Sequence, residues 1–115
     1  HSGTYSALVG STSPTGDSSL TQTFTVPAGA TTLSLYYANY CPDTVTYDWV
    51  TVTLRDNAAG TTRTLVPKTC AAVYQWTNVI ASVTPGGSYT LTLTSHDDNY
   101  PGDATYTLFD DVILR

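Results

Sequence analysis

The chain has 115 residues, of which four are basic and nine acidic, for a net charge of −5. That length makes one domain, residues 1–115, with room for a single core. The acidic balance excludes nucleic acid, whose binders carry basic patches, and an anionic membrane surface; no apolar run approaches the ~20 residues of a membrane span.

In chain order, Thr4 to Gly10 (TYSALVG) is a short apolar run that reads as a strand. Gly10 to Ser18 is dense in turn residues and reads as a loop. From Leu20 to Val26 the residues alternate, with Leu20, Gln22, Phe24 and Val26 on one side and threonines on the other. Such alternation predicts a strand with one buried face. PAGA (27–30) is a tight turn. From Thr32 to Tyr40 the pattern places Leu33, Leu35 and Tyr37 inward, with Ser34, Tyr36 and Ala38 opposite. CPDT (41–44) breaks that strand. From Asp48 to Leu54, Val50, Val52 and Leu54 point inward, opposite Trp49, Thr51 and Thr53. DNAAG (56–60) is a turn, 61–66 a strand closed by Pro67, 68–74 irregular, 76–83 a strand and Pro85-Gly86-Gly87 a turn. Tyr89 to Leu93 and Thr105 to Leu114 complete the set. Thr, Val and Tyr favour strands and strong helix formers are scarce. About eight short strands with Gly/Pro turns predict an all-β fold, an antiparallel sandwich or barrel.

Successive strands of such a fold reverse direction, so alternate connections fall at the same end. The first, third, fifth and seventh connections, beginning near Gly10, Cys41, Lys68 and Ser95, are the irregular ones; the others are tight. One end is therefore expected to carry long loops, where function usually sits. Cys41 and Cys70 fall at that end. An even cysteine count in a Thr/Tyr-rich acidic chain fits a secreted protein with one disulfide. No CxxC or Cys/His cluster suggests a metal instead. No signal-peptide pattern opens the sequence, so it reads as a mature or excised piece.

The stretch SHDDNYPGDATYTLFDDVIL, Ser95 to Leu114, holds five of the nine acids. Asp97, Asp98 and Asp103 share a loop; Asp110 and Asp111 interrupt an otherwise apolar strand, where Asp is uncommon. Carboxylates packed this closely repel one another unless a positive charge lies between them. Arg55, Arg63, Lys68 and Arg115 are the only basic residues. Hard oxygen ligands suit calcium, and the candidate ligands are Asp43, Asp97, Asp98, Asp103, Asp110 and Asp111. The same end gathers Tyr40, Tyr74, Trp76, His96, Asp97, Asn99 and Tyr100. Rings beside carboxylates and amides make a sugar-binding composition: the ring stacks on the apolar face of a pyranose and polar groups pair with its hydroxyls. A competing surface is an outer sheet face bearing Tyr36 and Trp49. No GxSxG, HExxH or Gly-rich phosphate loop is present, and no catalytic residue is assigned.

Four runs, HSGTYSALVGS, LTQTFTVPAGATTLSLYY, WTNV from Trp76 and the closing YTLFDDVIL, together resemble the galactose-binding-domain-like β-jelly roll over nearly the whole chain. The resemblance implies an antiparallel jelly-roll β-sandwich. That fold occurs in secreted bacterial carbohydrate-binding modules, in MAM-type extracellular domains and in accessory domains beside secreted peptidases and glycosidases. In such modules an Asp near the chain end often helps bind a structural calcium, which here implies Asp110 or Asp111. Relatives usually carry an upstream segment rich in Asn, Gly and Trp that this sequence does not include, which shifts the expectation for the ion toward the loop cluster. The expected function is a non-catalytic, calcium-assisted carbohydrate-binding module covalently linked to the catalytic domain of a secreted enzyme. The alternative is a protein-interaction or stabilising accessory domain of a secreted peptidase, with calcium purely structural.

Overall fold

Inward apolar alternation and tight turns resolve into eight antiparallel strands in a computed structural model, which describes residues 1–11 and 16–115. They are β1 (Ala7–Gly10), β2 (Asp17–Thr25), β3 (Thr32–Tyr40), β4 (Trp49–Asp56), β5 (Thr61–Thr69), β6 (Thr77–Ser82), β7 (Ser88–His96) and β8 (Tyr106–Leu114). Two four-stranded sheets, β1-β8-β3-β6 and β2-β7-β4-β5, face each other as a jelly-roll sandwich. Leu33, Leu35, Tyr37 and Phe109 from the first sheet meet Val50, Val52, Leu54, Leu91 and Leu93 from the second in one core. Each such burial contributes about 1.5–3 kcal/mol. No helix long and apolar enough to cross a membrane occurs among the described residues.

Several expectations need correction. The β2 alternation marks a buried side only toward its C-terminal end, where Val26 is buried and Phe24 packs against the core. Leu20 is 46% exposed, Gln22 is exposed and Phe24 half-buried. β2 is an edge strand, and the β1 segment opposite it is only four residues long, too short to cover it. β2 also begins at Asp17 rather than Leu20, while part of the expected 10–18 loop, 12–15, lies outside the described residues. β5 does not stop at Pro67 but runs to Thr69; an edge strand with register shifts against β4 tolerates a residue without an N–H. β7 is three residues longer than expected at its C-terminal end, which shortens the acidic loop to 97–105.

The registers place Gly10 and Tyr40 beside Tyr106, and Asp17 and Trp49 beside His96. The ends of β1, β3, β5 and β7 therefore lie together, and all four long connections leave from that end. Gly10 closes the packing there. Its φ is +95°, and a Cβ would sit 3.0 Å from the Thr105 carbonyl oxygen and 3.1 Å from Tyr106 Cα. Gly10→Ala is expected to cost at least about 1–2 kcal/mol, the left-handed penalty of an L-residue, read as a lower urea midpoint at unchanged slope.

Candidate functional site

The inward parity of the strands continues past their ends, and there the core turns polar. On β4 the row Leu54, Val52, Val50 extends to Asp48; on β7 Tyr89, Leu91 and Leu93 extend to Ser95 and Asp97; on β8 Phe109 extends to Thr107 and Thr105. Asp48, Ser95, Asp97, Thr105, Thr107 and Asn39 are all buried. Buried polar groups must be hydrogen-bonded, and these bond one another across the two sheets. Asn39 Nδ2 donates to Thr107 Oγ1 at 3.0 Å, and the Thr107 hydroxyl reaches Ser95 Oγ at 3.3 Å. Asp97 is consumed by its own loop: its two oxygens accept the Asn99 and Thr105 N–H groups, each at 2.7 Å. Asp48 accepts the Asp98 N–H at 2.9 Å and the Thr105 hydroxyl at 2.5 Å.

Over this layer lie four carboxylates. Asp43, Asp48, Asp98 and Asp103 each bring one oxygen within 4.8 Å of the others. Asp48 is fully buried, and Oδ1 of the partly buried Asp103 is shielded from solvent without a hydrogen-bond partner. Among the described residues the ion pairs involve only His1 and His96, on Asp110, Asp111 and Asp17. Desolvation first, and then the charges of Asp43, Asp98, Asp48 and Asp97, push the Asp103 carboxyl above its ordinary range. Buried charges are ordinarily paired or coordinate metals, and these four side chains can hold a metal ion. Asp43 is fixed next to the bond between Cys41 and Cys70, whose Cα atoms are 5.4 Å apart.

Beside the cluster, on the outer side of the β1-β8-β3-β6 sheet, three tyrosines meet. Tyr40 and Tyr106 are cross-strand neighbours with ring centroids 5.1 Å apart and planes inclined by 27°. Tyr74 from the β5–β6 loop packs edge-on against Tyr40 at 6.2 Å and lies 6.4 Å from Tyr106. Tyr40 and Tyr74 stay more than two-fifths exposed. They line a hollow of about 210 Å³ with Asn39, Cys41, Pro42 and Ala71.

Among solved structures, TmCBM61 in complex with beta-1,4-galactotriose matches the whole of this chain and 72% of its own, at TM-score 0.66 and 16% identity. The likeness shows a β-jelly-roll fold. A CBM35 from Cellvibrio japonicus also matches, over 96% of each chain, at TM-score 0.36 and 10% identity. No protein-family model and no curated protein sequence matches.

The jelly roll distributes the remaining candidates over three places. His96 leaves the sandwich on the opposite side from the tyrosines. Its ring stacks on Trp49 at 3.8 Å and its Nδ1 contacts Asp17, while Lys68 Nζ lies 4.0 Å from the Trp49 centroid. Asn99 takes a positive φ of 66° in the acidic loop, and Tyr100 is 64% exposed at its rim. Trp76 stays on the tyrosine side, edge-on to His1 at 5.9 Å. Asp110 and Asp111 are not among the four clustered acids; both hold the first two residues. The His1 amino nitrogen donates to Asp110 Oδ2 at 2.5 Å and the Ser2 N–H to the same oxygen at 3.0 Å. Asp111 meets His1 Nδ1 at 2.6 Å and accepts the Ser2 hydroxyl. Tyr36 and Trp49 belong to different sheets, so no single outer face bears both.

Two members escaped the sequence reading. Asp48 was legible in principle, because the alternation that buries Val50, Val52 and Leu54 also turns Asp48 inward. Tyr106 carried no such signal: its role depends on lying beside Tyr40, and a register between β3 and β8 is not written in either strand alone.

Proposed function

We propose that this chain is a non-catalytic carbohydrate-binding module of a larger secreted enzyme, with calcium held at the loop end. The observation that carries the reading is the Tyr40–Tyr74–Tyr106 group, in which the exposed Tyr40 and Tyr74 line a hollow at the same end of the sandwich as the four-carboxylate cluster. A pyranose presents an apolar face that stacks on such rings, and its hydroxyls pair with polar groups at the rim. Asp43, Asp48, Asp98 and Asp103 supply the hard oxygen donors calcium takes. Calcium offsets two of the cluster's four negative charges and ties the β3–β4 loop, which leads from Tyr40, to the β7–β8 loop, which leads into Tyr106. The disulfide supports secretion, since such bonds persist in oxidising compartments.

The similarity to a module solved with galactotriose makes β-1,4-linked galactose the first ligand to try, within a broad glycan panel. Tyr40→Ala is expected to weaken binding by more than about 1 kcal/mol in calorimetry, the range of a hot spot. Trp49→Ala, on the other sheet, leaves binding unchanged. The reverse pattern moves the site to the Trp49 side, and a folded protein that binds no glycan on the panel ends the reading in favour of an accessory domain.

A further inference from the structure

The two outer faces of the sandwich differ in chemistry. On the β2-β7-β4-β5 sheet, threonines pair across strands, Thr21 with Thr92 and Thr23 with Thr90, and Trp49 packs against His96 and Lys68. The β1-β8-β3-β6 face is aromatic along its length. From the loop end, Tyr40 and Tyr106 come first and Tyr36 follows four residues back along β3, about 13 Å away at strand rise. Trp76 enters β6 between them, since the next residue, Thr77, pairs with Tyr37.

At the far end of this row is a second hollow, of about 330 Å³, lined among others by His1, Ser34, Tyr36, Asn78, Asp111 and Arg115. That volume falls within the ~300–1,000 Å³ of small-ligand sites. The His1 ring lies flat on Tyr36, with centroids 3.6 Å apart and planes 10° from parallel. Around the stack lie the amide of Asn78, the hydroxyl of Ser34 and the carboxylate of Asp111, whose oxygens meet His1 Nδ1 and the Ser2 hydroxyl. The amide is fixed: Asn78 Nδ2 donates to Ser34 Oγ at 3.2 Å and to the Leu35 carbonyl at 3.1 Å. The carboxylate is there because β8 bulges. Between the pairs Tyr36–Asp110 and Ser34–Ile113 the strand spends one extra residue, and Asp111 takes φ 49°. Bulges re-aim side chains, and positive φ in a non-glycine residue is a cost that structures keep at working positions.

We propose that this hollow is a second sugar subsite, so that the face takes a glycan chain of several units laid along β3 from the tyrosine group to Tyr36. The proposal rests on the loop-end reading and extends it from a sugar to a linear oligosaccharide or polysaccharide. Calorimetry with β-1,4-linked galactose from monomer to tetramer, and with monomer and oligomers of any other glycan bound on the panel, tests it. The dissociation constant is expected to fall about tenfold from monomer to trimer, equivalent to about 1.4 kcal/mol. Tyr36→Ala and Asn78→Ala each remove that gain and leave the monomer affinity alone, whereas Tyr40→Ala weakens every length. Asn78→Ala decides the matter if Tyr36→Ala does not fold. Affinity independent of length, or a length dependence that survives both variants, overturns the second subsite and leaves the loop-end site standing. Absence of any glycan binding overturns both.

Discussion

Reduction of the Cys41–Cys70 bond is expected to lower the melting temperature by roughly 15 °C. The bridge closes a loop of 29 residues, which the chain-entropy model values at roughly 3.5 kcal/mol. An unfolding entropy of ~2.1 cal/mol/K per residue converts this to the stated shift. The loop it closes contains all of β4 and all of β5, so the unfolded chain regains freedom over a large part of one sheet. Calorimetric scans with and without reductant, with thiol counting to confirm the chemistry, check the value. A shift of only a degree or two shows that the loop is already held in the unfolded ensemble or by other contacts. Cys41→Ser with Cys70→Ser reproduces the reduced protein, and it loosens Asp43, which follows Cys41 by two residues, so its calcium response is weaker as well.

Calcium is expected to raise the melting temperature of metal-stripped protein by roughly 10 °C at a hundredfold excess over its dissociation constant, from a stabilisation of about 2.7 kcal/mol. EDTA reverses the shift. Asp98→Ala loses most of it, because Asp98 contributes to the cluster, whereas Asp56→Ala, in the β4–β5 turn, keeps it. Identical curves in calcium and EDTA rule the ion out. The pH dependence supplies a second readout. The Asp103 carboxyl is raised in the folded protein, so its contribution to metal-free stability is present below the unfolded carboxylate value of about 3.9 and is lost as pH rises through the higher folded value. Acidifying metal-free protein from neutrality across that interval therefore relieves the cluster. With calcium bound the sign reverses, since protons compete with the ion for the same oxygens. Asp103→Asn flattens the metal-free slope, and metal-free stability that falls steadily over that interval in the wild type, unchanged by Asp103→Asn, refutes the assignment.

The fold was legible because its inward rows are pure. Leu33, Leu35 and Tyr37, and Val50, Val52 and Leu54, alternate without exception, and Gly/Pro turns separate the strands. The common end of the long loops followed from counting reversals. What failed was exposure on β2, since alternation reports a strand and not whether another layer covers it. The candidate site was legible as a region. Asp43, Asp98 and Asp103 meet, as do Tyr40 and Tyr74, because they sit in connections that share one end. The region's division was not legible: His96 and Tyr40 end strands in opposite sheets, and parity within one strand says nothing about which sheet it joins. Asp97 looks like Asp98 in sequence, yet one residue of parity turns it inward to bond backbone N–H groups.

Among the described residues, β8 lies between β1 and β3, the only strands it pairs with, and β1 has no other sheet partner. The middle of one sheet is thus the last strand to be synthesised. While a ribosome extends this chain at about 5–20 residues per second, the second sheet can assemble once β7 emerges, but the first waits with its opening strand unpaired until Leu114 is clear. For some seconds the apolar faces of β1 and β3 stay open to other chains. A truncation that removes β8 does not trim an edge; it leaves two sheet fragments with nothing between them, and such a product is expected to aggregate rather than yield a smaller domain.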